Sequence, residues 1–355
     1  MLVLIIVILV VITLIIIAIN IIQNNLNIDT EKKEKFKMAN VAIVNYCNLK
    51  CPYCFADDMI HEKKSAMSVE DYRKVLEFLS RSPRNYVGII GGEPTLHPDF
   101  KEILKETNKY CKEVDTGATL FTNGINLEPF LGDIGDRIGI LINCNSPEYQ
   151  PAELFKKQRE CLDHLDALSW FDKKVTCGCN IHPGLTDYSY FWDIVKRYKL
   201  KHARVSVVSP AAQYECYRSD KEAYYEMMKP IFIDFCKEAM RHNCVVNMDC
   251  GHIPMCYFTM EEKEIVEKAC DGLYQDFCHP VIDITPDFKA TACFGAYETV
   301  DFRDFNNLDE LDRFLLLKHN YVRAQANCTG KCTTCKKHEL LQCQGGCLGF
   351  ANLEG

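Results

Sequence analysis

Short apolar runs alternate with segments of helical periodicity from Val41 to about residue 243. Each run is long enough for one buried strand, and each intervening segment places its apolar residues on one side of a helix. The predicted strands are Val41–Asn45, Tyr86–Ile90, Ala118–Thr122, Ile138–Asn143, Val175–Asn180 and Ala203–Val208. The predicted helices are Val69–Ser80, Asp99–Lys109, Leu127–Leu131, Ala152–Ser169, Tyr188–Tyr198 and Lys221–His242. Pro230 should kink or split the last of these helices.

Six strand–helix repeats predict an α/β fold, with a parallel sheet covered by helices. Right-handed crossovers would curl the sheet into a partial (β/α)6 TIM-like barrel, with functional side chains at the carboxyl ends of its strands. The alternation stops after Asn243, and 11 of the 21 cysteines lie between Cys244 and Gly355. We therefore expect a barrel domain at 39–243 and a separate cysteine-rich domain at 244–355.

Residues 1–22 form an almost uninterrupted apolar run. At 1.5 Å per residue it would span about 33 Å, enough to cross a membrane, and it has neither the basic start nor the cleavage site of a signal peptide. Four lysines follow: Lys32, Lys33, Lys35 and Lys37. The positive-inside rule then predicts a transmembrane helix at 1–22, a polar linker at 23–38 and a single-pass membrane protein with its catalytic domain in the cytoplasm. Translation from Met38 would instead give a cytoplasmic protein.

Charge and cysteine content narrow the class of protein. The 41 basic and 49 acidic residues give a net charge of −8, which argues against nucleic-acid binding. A 355-residue chain with 48% hydrophobic residues forms a core without disulfides, and an odd number of cysteines cannot pair completely. The cysteines therefore indicate metal or redox chemistry in a reducing compartment.

Three cysteines follow the first predicted strand, in the order Cys47-x3-Cys51-x2-Cys54. Three thiolates on one loop can hold three irons of a [4Fe–4S] cluster and leave the fourth iron open to another ligand. A zinc site would need a fourth ligand, for which His61 is the local candidate.

This CxxxCxYC pattern after the first strand of a βα barrel resembles the radical SAM superfamily. The second predicted strand ends in Gly91-Gly92-Glu93, the segment that in this family binds the amino group of S-adenosylmethionine, and Tyr53 resembles the family's aromatic residue near the adenine. The resemblance implies that the cluster on the three-cysteine loop reductively cleaves S-adenosylmethionine. The resulting 5′-deoxyadenosyl radical would abstract hydrogen from a substrate, with electrons from an external donor such as flavodoxin or ferredoxin.

Further cofactor contacts are expected at the ends of the third, fourth and fifth predicted strands. The candidates are Thr122, Asn123, Asn143, Asn145, Ser146 and Asn180. Each is equally well explained as an ordinary turn residue, because Asn and Ser are common where strands end.

The C-terminal cysteines are also closely spaced, as Cys328-x3-Cys332-x2-Cys335-x7-Cys343-x3-Cys347. Upstream, Cys278 and Cys293 flank a predicted hairpin with a Pro-Asp turn, which would bring the two thiols together. This arrangement resembles the SPASM extension of radical SAM enzymes, which carries one or two auxiliary [4Fe–4S] clusters.

The resemblance implies two sets of cluster ligands. Cys278, Cys293 and Cys347 would serve the first cluster, with a fourth ligand from Cys250, Cys256 or Cys270, and Cys332, Cys335 and Cys343 would serve the second. The x7 gap is longer than the family's usual x5, and the family's further cysteine after the last one is missing. Cys328 could replace it, or one iron could stay open. A four-cysteine zinc site is the alternative.

SPASM enzymes mostly modify peptides, so the resemblance implies a peptide or protein side chain as the substrate. The sulfatase-maturing branch is disfavoured, because Phe294 follows Cys293 where that branch has Asp. One alternative is a small-molecule or cofactor-biosynthesis radical SAM enzyme. Another is a non-catalytic, membrane-tethered electron carrier, although such a carrier would gain nothing from an open iron.

Overall fold

The computed structural model describes residues 37–57, 64–83, 85–171, 173–210, 212–274, 278, 280–293, 298–325, 330–340 and 343–350. The strands, in chain order, are β1 (Lys37–Ala42), β2 (Asn85–Ile90), β3 (Ala118–Thr122), β4 (Ile138–Asn143), β5 (Val175–Ile181), β6 (His202–Val207), β7 (Val245–Met248), β8 (Ile282–Ile284), β9 (Lys289–Thr291) and β10 (Val300–Asp301). The α-helices are α1 (Val69–Ser80), α2 (Phe100–Glu113), α3 (Ala152–Ala167), α4 (Ser189–Tyr198), α5 (Lys221–Arg241), α6 (Met260–Ala269), α7 (Leu308–Gln325) and α8 (Lys336–Glu339).

One ten-stranded sheet runs through the described part of the chain, in the order β10-β9-β8-β1-β2-β3-β4-β5-β6-β7. From β2 to β7 every neighbouring pair is parallel. β8 pairs parallel with β1, whereas β9 pairs antiparallel with both β8 and β10. The predicted α/β class with a parallel sheet is therefore confirmed, and the six predicted strands are adjacent in chain order.

The pattern of burial explains this arrangement. Alternate residues of β4, Ile138, Ile140 and Ile142, are buried in the main hydrophobic core, and helices supply the other side of that core through residues such as Ile103 and Leu104 of α2. At the start of α1, the Ser68 hydroxyl accepts a hydrogen bond from the Asp71 amide and so satisfies one of the free donors of the first turn.

Three elements differ from the predictions. β7 extends the sheet beyond residue 243, because Val246 is still buried although the strand–helix alternation has stopped. α5 continues through Pro230 without a break, since buried side chains on both sides of the proline, including Met228 and Phe232, hold it against the core. The predicted helix Leu127–Leu131 is a 3-10 helix at Glu128–Asp133.

The predicted transmembrane helix at 1–22 and nearly all of the linker lie outside the described residues. In the ranges that the structure covers, no helix is long and apolar enough to cross a membrane. The longest of them, α5, contains charged residues at intervals along its length, among them Glu226, Lys229 and Asp234, which would be costly to place in hydrocarbon. This finding contradicts the predicted single-pass membrane localisation, and we correct it here.

Candidate active site

The three-cysteine loop follows β1 directly. Its first turn is fixed by the Asn45 side chain, whose Oδ1 accepts from the Ser65 amide at 2.6 Å. Cys47, Cys51 and Cys54 are all half-buried on this loop. Burial raises the pKa of Cys47 and Cys51 to about 12 and that of Cys54 to about 11, and charge on Cys54 adds to the increase at both other thiols. The three thiols thus share one loop, where bound iron would stabilise the thiolate form.

Gly91 and Gly92 let the end of β2 lie directly against this loop. The Gly92 amide donates to the Val44 carbonyl at 3.0 Å, and the Glu93 amide donates to the Tyr46 carbonyl at 2.9 Å. A Cβ on Gly92 would collide with the Tyr46 carbonyl and lie 2.9 Å from the Cys47 amide nitrogen. Glycine is thus required here for contact between two backbone segments.

Glu93 is buried at the centre of the site, with 1% of its surface exposed. Its Oε1 accepts from the Thr122 hydroxyl at 2.6 Å and from the Thr95 hydroxyl at 2.6 Å, and its Oε2 accepts from the Asn123 amide at 2.8 Å. Burial nevertheless raises the pKa of this carboxyl group. Within the described ranges no Lys or Arg forms an ion pair with it, so a bound ammonium group would compensate this buried charge.

Asn123 and Asn145 tie the loop to the ends of β3 and β4. Asn123 Nδ2 donates to Asn48 Oδ1 at 2.7 Å, within the three-cysteine loop. Asn145 Nδ2 donates to Cys51 Sγ at 3.3 Å, and its Oδ1 accepts from the Tyr53 hydroxyl. Both side-chain amides therefore position the cysteine loop. The sequence alone does not show this role, because it does not show which residues the two amides contact.

The remaining predicted contacts lie at the same edge of the sheet. Thr122 bridges Glu93 and the Gly124 amide, the latter at 3.0 Å. Ser146 accepts from the Glu148 amide at 3.3 Å and so begins a 3-10 turn. Asn143 and Asn180 are half-buried at the ends of β4 and β5. Whether these side chains touch a cofactor stays a prediction.

Sequence reasoning missed His182, which directly follows β5. Its ring lies 4.5 Å from the Tyr53 ring between centroids, and its Nδ1 is 2.9 Å from the Tyr214 hydroxyl. Burial lowers its pKa to about 4, so the ring is neutral at pH 7. The sequence signal was a histidine two residues beyond the end of the predicted strand Val175–Asn180.

The first predicted set of C-terminal cysteines lies around the β8–β9 hairpin. Cys278 and Cys293 flank the β8–β9 hairpin, as predicted, and burial, with a smaller contribution from charge on Cys347, raises the pKa of Cys293. Arg323 donates to the carbonyls of Gln344 and Gly346 at 2.9 and 2.8 Å, while Gln344 Oε1 accepts from the Cys278 amide at 2.9 Å. These bonds hold Cys347 beside the hairpin.

The second predicted set lies on the turn around α8 and the segment before Cys347. The Cys335 amide donates to the Cys332 carbonyl at 3.2 Å, and the Gly345 amide donates to Cys343 Sγ at 3.4 Å. Cys328 and His61, two further candidate ligands, lie outside the described residues.

Within the described part of the chain, no three His, Cys, Asp or Glu side chains converge closely enough to hold one metal ion. Ligands of a cubane bind different irons and lie farther apart than ligands of one ion. Three half-buried thiols on one loop are a suitable donor set for a cluster with one open iron.

Comparisons of sequence place this site in a family. Residues 41–198 match the radical SAM superfamily. A Methanocaldococcus jannaschii protein provisionally named as a glycyl-radical enzyme activating enzyme is 30% identical over 176 residues, 46% of this chain and 70% of that protein. A 7,8-dihydro-6-hydroxymethylpterin dimethyltransferase of the same organism is 35% identical over 96 residues, 26% of this chain and 18% of that protein. A GTP 3′,8-cyclase of Synechocystis sp. is 30% identical over 132 residues, 36% of this chain and 39% of that protein.

Solved structures share the fold over most of the chain. Streptococcus suis SuiB bound to precursor peptide SuiA has a TM-score of 0.56 and 18% identity, covering 87% of this chain and 71% of that one. AnSMEcpe with bound S-adenosylmethionine has a TM-score of 0.60 and 16% identity, covering 87% of this chain and 88% of that one. The chain belongs to the radical SAM superfamily, whose enzymes use a [4Fe–4S] cluster and S-adenosylmethionine.

Proposed function

We propose that this enzyme modifies a peptide or protein side chain and carries auxiliary iron–sulfur clusters in its C-terminal region. A cluster held by Cys47, Cys51 and Cys54 would supply, with S-adenosylmethionine bound, the radical chemistry needed to remove a hydrogen atom from the substrate. The observation that carries the proposal is the bond from the Cys278 amide to Gln344, at 2.9 Å, which ties the segment before Cys347 to the β8–β9 hairpin. That hairpin is hydrogen-bonded to β1 of the same sheet.

The strand-end residues have separate roles in this proposal. Cys47, Cys51 and Cys54 hold the cluster, and the buried carboxylate of Glu93 accepts the ammonium group of S-adenosylmethionine. Asn123 and Asn145 fix the cysteine loop through their bonds to Asn48 and Cys51. Thr122, Asn143, Ser146 and Asn180 complete the cofactor site from neighbouring strand ends, and Tyr53 lies beside the adenine.

Two features support a peptide substrate. The fold matches SuiB, which was solved with its precursor peptide SuiA, over 87% of this chain. In addition, the proposed auxiliary clusters would be held by the hairpin next to β1, the strand that leads into the radical SAM loop. Electrons would come from an external one-electron donor such as flavodoxin or ferredoxin.

The test is an anaerobic assay of the cluster-loaded enzyme with short peptides encoded beside its gene. We expect 5′-deoxyadenosine formation that rises when the correct peptide is added, together with a change in the peptide's mass. If no neighbouring peptide changes mass or stimulates the reaction, the peptide proposal is wrong although radical SAM chemistry stands.

A small-molecule substrate is the second candidate, favoured by the sequence similarity to a GTP 3′,8-cyclase. The same assay separates the two, because a purine nucleotide such as GTP would then stimulate 5′-deoxyadenosine formation and peptides would not.

A further inference from the structure

The side-chain amide of Asn145 bonds directly to a sulfur of the three-cysteine loop, Cys51 Sγ. Hydrogen bonds to the sulfur ligands are among the factors that set the reduction potential of an iron–sulfur cluster. We propose that Asn145 raises the reduction potential of the cluster at this loop through that bond, and that Tyr53 acts through Asn145 as a positioning residue. This inference rests on the proposed role of Cys51 as a cluster ligand and goes beyond it.

The bond between Asn145 and Cys51 lies in a protected place. Asn145 follows the end of β4 with 4% of its surface exposed, and its Nδ2 is 3.3 Å from Cys51 Sγ. Its backbone is held as well, because Gln150 Nε2 donates to the Asn145 carbonyl at 3.2 Å. A hydrogen bond away from water is electrostatically stronger than one in water. The amide can therefore influence the charge on the sulfur with little screening by solvent.

Tyr53 fixes which end of the amide faces the sulfur. Its hydroxyl donates to Asn145 Oδ1, which leaves Nδ2 directed at Cys51. An iron-bound cysteine is a thiolate, so its sulfur has no proton and can only accept a hydrogen bond. The amide thus presents the group that a cluster ligand requires. The Tyr53 ring is itself supported by the His182 ring, at 4.5 Å between centroids.

Asn123 shows how an asparagine can hold the same loop without touching a sulfur. Its Nδ2 donates to Asn48 Oδ1 at 2.7 Å, an oxygen of a side chain that we do not expect to bind iron. Both asparagines follow strand ends and both bond the cysteine loop, but the bond from Asn145 ends on Cys51. The two residues therefore separate support of the loop from an electrostatic effect on the cluster.

The direction of the effect follows from charge. The external one-electron donor of the proposed function would add one electron, and so one negative charge, to the cluster and its sulfur ligands. An N–H group directed at Cys51 Sγ stabilises that added charge, because the positive end of its dipole faces the sulfur. The bond therefore favours the reduced form, and its loss should make reduction harder.

The test is the midpoint reduction potential of this cluster in the loaded full chain, followed by electron paramagnetic resonance without S-adenosylmethionine. The relevant signal is the one that disappears when Cys47, Cys51 and Cys54 are all replaced by alanine. We expect Asn145→Leu to make reduction about tenfold less favourable, which is a midpoint about 59 mV more negative for one electron. Activity is not part of this measurement.

Asn145→Asp gives a second variant of nearly unchanged size. It keeps an oxygen that can accept from the Tyr53 hydroxyl, but it directs a carboxylate oxygen instead of an N–H group at Cys51. We expect a shift in the same direction that is at least as large, because the carboxylate also adds negative charge near the cluster.

Tyr53→Phe tests the positioning role. This variant keeps the Asn145 amide but frees it to turn, so we expect a smaller shift in the same direction. Combining it with Asn145→Leu should give no more than the shift of Asn145→Leu alone, since Tyr53 acts only through the amide. Additive shifts would contradict this role for Tyr53.

Asn123→Leu is the matched control. It also removes a side-chain bond to the loop, so it may load less iron, but the loaded cluster should keep the wild-type potential. Equal shifts in Asn123→Leu and Asn145→Leu would overturn the inference, because both residues would then act by supporting the loop. A wild-type potential in both Asn145 variants would overturn it too, as would loss of the cluster from both. Absence of the signal from the loaded wild-type protein would instead refute the proposed cluster at Cys47, Cys51 and Cys54.

Discussion

The strand-end site and the C-terminal cysteine region both gather thiols, but they hold them by different means. Cys47 and Cys51 lie on a loop whose neighbours are fixed by backbone contacts with Gly92 and by the Asn145 amide. In the C-terminal region, one arginine and one glutamine side chain, Arg323 and Gln344, provide the described bonds that tie Cys278 to the segment before Cys347.

This difference indicates how each site is organised before a cluster binds. The first loop is preorganised by the sheet, because two chain segments are in direct backbone contact. The second region depends on a few side chains, so we expect its cluster ligands to complete their ordering when iron binds. Four substitutions test this contrast.

The largest effect is expected from Gly92→Ala. The added Cβ would collide with the Tyr46 carbonyl, which is backbone and cannot move without shifting the cysteine loop. We expect the free energy of unfolding to fall by about 3–4 kcal/mol and iron loading at the first cluster to be lost. Denaturant unfolding and iron analysis measure both. Gly132→Ala is the control, because a Cβ there meets nothing within 4 Å; equal behaviour of the two variants would refute the preorganised loop.

Glu93→Gln should weaken S-adenosylmethionine binding about 100-fold, or about 2.7 kcal/mol, while leaving the cluster in place. The reason is that the amide preserves size but removes the negative charge that an ammonium group would neutralise. Calorimetric titration of the loaded, oxidised enzyme measures the dissociation constant. An unchanged constant would show that Glu93 is a structural residue held by Thr122 and Asn123.

His182 should give the strand-end site a pH-dependent stability. Its pKa is lowered to about 4, so between the ordinary value of 6.5 and about 4 the unfolded chain binds more protons than the folded one. Stability should therefore fall by about 2 kcal/mol as pH drops through this window. In His182→Gln, the free energy of unfolding should change less with pH. Denaturant unfolding at pH 7 and pH 4.5 measures this change. If His182→Gln leaves the change in unfolding free energy between the two pH values as it is in the wild-type protein, the assignment is wrong.

The smallest effect is expected from Arg323→Met. We expect the free energy of unfolding to fall by about 1 kcal/mol, because the substitution removes two hydrogen bonds to the Gln344 and Gly346 carbonyls. The apolar stem is retained. Iron should be lost from the C-terminal region only, with the first cluster intact by electron paramagnetic resonance. Loss of iron from the first cluster instead would remove the contrast between the two regions.

Sequence periodicity predicted the parallel sheet because each strand is a short apolar run between helical segments. It missed β7, since Val245–Met248 follows the last clear helix with no further repeat. The spacing of Cys47, Cys51 and Cys54 predicted their common loop. It could not show that Asn145 bonds to Cys51 or that Gly92 packs on Tyr46, because these contacts join residues far apart in the chain.

The most direct test of the central claim is 5′-deoxyadenosine formation by the dithionite-reduced, cluster-loaded enzyme, compared with a variant in which Cys47, Cys51 and Cys54 are all alanine. Our account predicts product from the wild-type protein and at least about a thousandfold less from the variant, since catalysis at a lost cluster falls to background. Cys111→Ala, at a buried cysteine of α2, should retain activity. Product formation by the triple variant at the wild-type rate would contradict the account.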